Sequence, residues 1–203
     1  MATFLLIRHG LNDMVGEKLA GRTAGVHLNE DGKAQARRLA AETGHLKIAA
    51  IYSSPLERAL ETAEPIARVH DLNVEIVPEL IEIDFGKWQG KHLKKLKKGR
   101  LWKAVQSSPG SFRFPDGESF EEAQNRVAEG LKALSEKHEK EDLIVCVAHS
   151  DVIRLAVAHF LGLSLNDFQR LRISTASVTV MSLYEGEAFF NTINQTFGFP
   201  KLT

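Results

Sequence analysis

Thr3-Phe4-Leu5-Leu6-Ile7-Arg8-His9-Gly10 opens with a β-branched threonine and four consecutive apolar residues and ends abruptly on an arginine, a histidine and a glycine. An unbroken apolar run of this length is the pattern of a strand covered on both faces, as strands of a parallel sheet are. The arginine and the histidine then lie at the strand's carboxyl end. A second run of the same design, Leu143 to Ala148, also finishes on a histidine, His149. Two buried strands far apart in sequence, each ending in an imidazole, point to an α/β sheet with both endings on one edge, where ligands of open α/β sheets bind.

Working outward, the remaining segments alternate as such a sheet requires. A helix is expected from Glu30 to Thr43, capped by Asn29, with Asp31 at its positive end and Ala34, Leu39 and Ala40 as apolar positions. Ile48 to Ser53 reads as a second strand. Pro55 follows at a first helical position, and that helix runs to His70. A third strand, Val74 to Val77, is stopped by Pro78. Glu79 to Gly90 is irregular, and a basic helical segment spans Lys91 to Gln106. Turn signals lie at Ser107-Ser108-Pro109-Gly110 and Pro115-Asp116-Gly117. Ser119 and Glu122 form a capping box that opens a helix to His138. A helix beginning near Asp151 shows an apolar face through Ile153, Ala156, Val157, Phe160 and Leu161. Two β-rich segments, Ser177 to Tyr184 and Phe189 to Asn194, close the series. The expected fold is a three-layer α/β/α sandwich with a mostly parallel sheet and an antiparallel edge strand. It forms one domain over residues 1–203, with an excursion at about 91–118.

Composition narrows the function. Lys plus Arg and Asp plus Glu each number 26 in 203 residues, so the formal charge is zero and no global attraction to nucleic acid or anionic membrane is expected. Anion binding must come from a local cluster. The one cysteine, Cys146, lies within an apolar strand and reads as a buried, inert thiol; it excludes an intramolecular disulfide and fits a reducing compartment. No signal-peptide pattern and no apolar stretch of membrane-spanning length is seen, so a cytoplasmic location is expected. A homodimer is a prior for proteins of this size and nothing more.

A local cluster is available. Arg8 and His9 end one strand, His149 ends another, and the strand ending at Ser53-Ser54 leads into a helix with Arg58 on its first turn. Two guanidiniums and two imidazoles converging at one sheet edge make a site for a multiply charged oxyanion. The helix after His149 adds backbone N–H groups and a positive dipole end.

In these residues the chain resembles the histidine phosphatases, the phosphoglycerate mutase-like superfamily. The resemblance rests on Arg8-His9-Gly10 with Asn12, Gly21-Arg22 and Leu28 ahead of Gly32-Lys33-Ala34-Gln35-Ala36, Ser53-Ser54-Pro55-Leu56-Glu57-Arg58-Ala59 leading to Thr62-Ala63, Glu82-Ile83-Asp84-Phe85-Gly86-Lys87-Trp88-Gln89-Gly90, and Ala148-His149-Ser150 followed by Ile153-Arg154. It implies that His9 accepts the phosphoryl group, with its ring oriented by the Gly10 carbonyl, and that Arg8, Arg58 and His149 bind the phosphoryl oxygens. It implies that Glu82 is the proton donor. Asn12, Arg22 and Ser150 are candidate substrate or phosphate contacts. The activity implied is a phosphatase that hydrolyses a small phosphorylated metabolite through a phosphohistidine, with no metal and no cofactor.

Departures from the family pattern shape the alternatives. The position after His149, commonly a glycine pair, is Ser150-Asp151, and Asp151 is read as a helix N-cap. Met14-Val15 and Ile83-Asp84-Phe85-Gly86 replace the residues typical of the glycolytic mutases, which favours phosphatase over mutase. A non-catalytic phospholigand-binding protein is disfavoured because Arg8, His9, Arg58, Glu82 and His149 are all present. Metal binding by His9 and His149 is disfavoured because the neighbouring arginines repel cations. A protein phosphohistidine substrate is disfavoured by the 91–118 excursion. The lysine run from Lys91 to Lys103 is read as a solvated face behind an apolar side of Leu93, Leu96 and Leu101. Trp102, Phe112 and Phe114 are read as a minor core of the excursion.

Overall fold

The computed structural model describes residues 2–197. Six strands form one sheet: β1 (Ala2–Arg8), β2 (Ile48–Ser53), β3 (Val74–Ile76), β4 (Leu143–Ala148), β5 (Val178–Tyr184) and β6 (Glu187–Gln195). Their order is β3-β2-β4-β1-β5-β6. The first three neighbour pairs in that order are parallel; β5 runs antiparallel to β1, and β6 antiparallel to β5. The expected mostly parallel sheet with an antiparallel edge is therefore present, the edge being the hairpin of β5 and β6 in which β5 runs against the other strands.

Period-two alternation builds the three layers. Leu5, Ile7, Val145 and Val147 point to one face, where they pack with residues of α1 (Glu30–Thr43) and α2 (Glu57–His70), including Leu39, Ala63 and Ile66. Phe4, Leu6, Ile144 and Cys146 point to the other, against α5 (Phe120–Lys137) and α6 (Ser150–Phe160), through Val127, Leu131 and Leu155. Each fully buried aliphatic side chain of this kind contributes about 1.5–3 kcal/mol over an exposed one. Cys146 is wholly buried, and burial pushes its thiol pKa far up, so it is an inert packing residue.

Parallel register brings the strand ends together. Arg8 pairs with Ala148 and Ser53 with Val147, so His9, His149 and Ser54 follow side by side. The His9 N–H donates to the Ala148 carbonyl at 3.0 Å, and the Ser54 N–H to the Val147 carbonyl at 2.9 Å.

Several boundaries differ from the sequence reading. Pro55 precedes α2, whose N-cap is Leu56, because the chain must clear the sheet edge before it turns helical. In α1 it is Ala36 that is buried, while Ala34 is exposed, since the apolar stripe follows Gly32, Ala36, Leu39 and Ala40. The segment read as one helix from Lys91 to Gln106 is two, α3 (Leu93–Leu96) and α4 (Arg100–Ser107), broken at Gly99. That break rotates α4, so Leu101 is 48% exposed and does not join Leu96 in the core; the lysines of the run remain exposed. Leu161 caps α6 and is also exposed. Trp102, Phe112 and Phe114 are not a separate minor core: they join the main cluster with Phe85, Trp88 and Phe120. Among the described residues no helix is long and apolar enough to cross a membrane.

Candidate active site

A cavity of about 240 Å³ opens at the carboxyl edge of the sheet, lined among others by Arg8, His9, Asn12, Arg58, Glu82 and Ser150. His149 lies directly behind it, with its ring centroid 5.2 Å from that of His9. Four separated chain segments thus meet around one imidazole.

The segment carrying His9 is clamped from three sides. Its Nδ1 lies 2.7 Å from the Gly10 carbonyl. A carbonyl can only accept, so Nδ1 carries the proton and Nε2 keeps its lone pair. The Gly10 N–H donates to Thr62 Oγ1, and Thr62 Oγ1 in turn donates to the Arg58 carbonyl at 2.7 Å. Behind this turn, α1 begins so close that a Cβ on Gly32 would stand 2.0 Å from the Leu11 carbonyl oxygen. Only glycine permits that approach, which accounts for the glycine at the start of α1.

Burial sets the charge states. His9 and His149 both have pKa values well below the usual histidine range: burial is the main cause, and the guanidiniums of Arg8 and Arg58 add to it. Neutral His9 is therefore a competent nucleophile throughout the physiological range. His149 Nε2 hydrogen-bonds Ser54 Oγ at 2.7 Å. Ser54 Oγ also accepts the Leu56 N–H at 3.4 Å; with its hydroxyl proton donated to Nε2, the ring carries its own proton on Nδ1, which has no protein partner.

Both arginines are desolvated. Arg58 is 1% exposed and anchored by one bond from Nη2 to the Gly21 carbonyl; Arg8 donates from Nη1 to the Ile173 carbonyl. Burial lowers the Arg8 pKa to about 10. Arg8 Nε, Arg58 Nε and Nη1, Asn12 Nδ2 and His149 Nδ1 are buried with no protein partner. Buried donors normally find acceptors, and five unpaired ones gathered around one ring constitute a cradle for an oxyanion.

Glu82 faces this cradle from the loop after β3. Its pKa is raised to about 7, chiefly by burial and next by Asp151; the Ile83 N–H and the arginines work against the rise. A carboxyl that is protonated near neutrality can donate to a leaving oxygen.

Not every expected residue reaches the cavity. The Arg22 guanidinium is committed elsewhere: Nε donates to the Glu82 carbonyl at 2.8 Å and Nη2 pairs with Glu118 at 2.9 Å. It braces the loop that carries Glu82. Asp151 is not the N-cap of α6, a position that His149 occupies; it sits in the first turn and pairs with Arg154 at 2.9 Å. There it lines the cavity and raises the Glu82 pKa. Ser150 lines the cavity, with its hydroxyl 3.4 Å from the Ile173 carbonyl.

Sequence reading missed the supports. Ser54 and Thr62 stood in recognised blocks but carried no role, and Glu118 and Arg126 carried no signal at all. Glu118 accepts from Arg22, from Arg126 and from the Asp84 N–H, while Arg126 Nη1 donates to the Glu79 and Ile81 carbonyls. Burial would raise the Glu118 pKa, but these bonds outweigh it and hold it below the usual range. Among the described residues, no three His, Cys, Asp or Glu side chains are grouped so as to hold a metal ion.

A fold of this order with paired imidazoles and arginines at the carboxyl edge defines a phosphoryl-handling α/β protein. The profile of the histidine phosphatase superfamily (branch 1) matches residues 4–196, and the chain belongs to that family. It is 31% identical over 190 residues to phosphoserine phosphatase 1 of Hydrogenobacter thermophilus, covering 91% of this chain and 88% of that one. It is 32% identical over 188 residues to a 2,3-bisphosphoglycerate-dependent phosphoglycerate mutase of Thermoplasma acidophilum, covering 92% and 90%. Among solved structures it is similar to phosphoserine phosphatase of Entamoeba histolytica in complex with 3-phosphoglyceric acid, at 29% identity and a TM-score of 0.83, covering 97% and 98%. The chain is a histidine phosphatase.

Proposed function

We propose that the protein is a metal-independent phosphomonoesterase that hydrolyses a small phosphorylated metabolite in two steps through phospho-His9. The observation that carries this reading is the set of five unpaired buried donors around an imidazole whose Nε2 is free. In the first step Nε2 attacks phosphorus in line, the ester P–O bond breaks, and the Glu82 proton goes to the departing alkoxide. The donors of Arg8, Arg58, Asn12 and His149 hold the equatorial oxygens as charge spreads over them. In the second step Glu82, now a carboxylate, takes a proton from water as that water attacks the phosphohistidine, and inorganic phosphate leaves. Burial, and next Asp151, keep the Glu82 pKa high enough for both roles. Residues 1–203 act as one domain in this reading, and the 91–118 excursion walls the site. Relatives named for phosphoserine make small phosphorylated acids the first substrates to try.

The test is to incubate the protein with phosphoserine and with an aryl phosphate in the presence of a chelator. Phosphate release, with an acid-labile and base-stable phosphoenzyme that disappears in His9→Ala, is expected. Chelator-sensitive turnover, or a fully active His9→Ala, overturns the mechanism. The relative named as a mutase supports a second reading, phosphoryl transfer between positions of one substrate. An isomerised product and dependence on a bisphosphorylated primer would establish it.

A further inference from the structure

The phosphate cavity does not end at Glu82. A second cavity of about 340 Å³ adjoins it and shares Leu19, Phe85, Asp151 and Arg154 with its lining. One side of this chamber is aromatic, built from Phe85, Trp88, Trp102 and Phe114. The rings are locked to one another: Trp88 and Trp102 stack at 17°, and Phe114 meets both Phe85 and Trp88 edge-on. The remainder of the lining is mixed: Leu19, Val105 and Phe120 are apolar, while Gln106, Gln169 and Arg172 bring polar groups to it, with Asp151 and Arg154 on the side shared with the phosphate cavity.

Position decides what the chamber receives. The ester oxygen must point toward Glu82, which donates to it, and Phe85 lies three residues beyond Glu82 on the same loop. Whatever is bonded to that oxygen is therefore directed past Phe85. A three-carbon hydroxy acid would leave most of a 340 Å³ space unfilled. An aromatic surface held rigid by its own packing suits a flat ring, and the amides and guanidinium beside it suit polar groups on that ring's edge.

We propose that the chamber is the binding site for the alcohol part of the substrate, and that the preferred substrates are phosphomonoesters whose alcohol carries a planar ring. This rests on the phosphatase reading for its chemistry, but the binding surface is separate from the phosphate cradle. Burying one ring's apolar surface is worth on the order of 10- to 100-fold in affinity.

Ethyl phosphate and 2-(4-nitrophenyl)ethyl phosphate test it, because both expel a primary alkoxide and differ in the ring alone. The ring ester is expected to show kcat/KM at least about tenfold higher, and Trp102→Ala to bring the ratio of the two substrates toward one. A second measurement does not depend on turnover. The chain's two tryptophans both line this chamber, so the nitrophenyl ester should quench the emission of His9→Ala and ethyl phosphate should not. Equal kcat/KM with no quenching overturns the chamber while leaving the phosphatase reading intact. Quenching without hydrolysis by the unmodified protein upholds the chamber and removes the phosphatase reading.

Discussion

At the scale of single residues, the site works by placing groups where their ordinary charge states are disfavoured. His9 is kept neutral by burial and by two cationic neighbours, so in its proposed role of nucleophile it should lose no activity until the pH falls well below 6.5. Glu82 is the opposite case. Its acid form persists to about pH 7, so kcat/KM for an alkyl ester should fall about tenfold per pH unit above that point. An aryl phosphate, whose leaving group needs little protonation, should show a flatter alkaline limb; parallel limbs for the two esters would remove Glu82 from the role of acid. The same shift predicts stability. A carboxyl with a folded pKa above its unfolded value binds more protons when folded, so its contribution declines as the pH rises from about 4.5 to 7. Glu82→Gln mimics the protonated form. It should match the unmodified protein near pH 4 and be more stable at pH 8, by up to about 3 kcal/mol, read from urea unfolding at both pH values.

At the scale of elements, the loop carrying Glu82 has no sheet to hold it and is held by side chains instead. Arg126 from α5 bonds the Glu79 and Ile81 carbonyls, and Glu118 joins Arg126, Arg22 and the Asp84 N–H into one network. Arg126→Met leaves Glu118 half-paired and two carbonyls bare. A loss of about 2–4 kcal/mol in stability is expected, together with a displaced alkaline limb for alkyl esters. An unmoved limb in a folded Arg126→Met protein would show that the network serves stability alone. The first turn of α5 carries a complete capping box, with Ser119 and Glu122 each satisfying the other's backbone N–H. Ser119→Ala should cost about 1 kcal/mol by thermal unfolding. The sequence displayed this cap plainly, because capping is a contact between near neighbours. It gave no sign of Arg126, since an arginine on an amphipathic helix looks the same whether it faces water or a distant loop. The Asp151 reading failed for a related reason: the residue type suits an N-cap, but the helix begins two residues earlier than an Asp151 cap would place it.

At the scale of the whole molecule, the fold concentrates uncompensated positive charge at one end of its sheet. Burial strains Arg8 and Arg58, and a bound oxyanion would relieve that strain. Inorganic phosphate at 100 times its Kd should stabilise the protein by about 2.7 kcal/mol, seen as a rise of several degrees in Tm. Chloride at equal ionic strength should not reproduce it, and an equal rise with chloride would show that the cradle does not select a multiply charged anion.

Legible in the amino-acid sequence alone were the order of the strands and of the four long helices, the layering, and the arrival of Arg8, His9 and His149 at one edge with Arg58 on the helix that follows a third strand. Each of these follows from local periodicity and from the rule that parallel strands end together. Only the tertiary structure decided which groups those four side chains lean on, that Arg22 turns away from the cavity to brace Glu82, and that Trp88, Trp102 and Phe85 open a chamber rather than filling one. Those outcomes depend on packing between segments dozens of residues apart, and no pattern within a single segment encodes the distance to another.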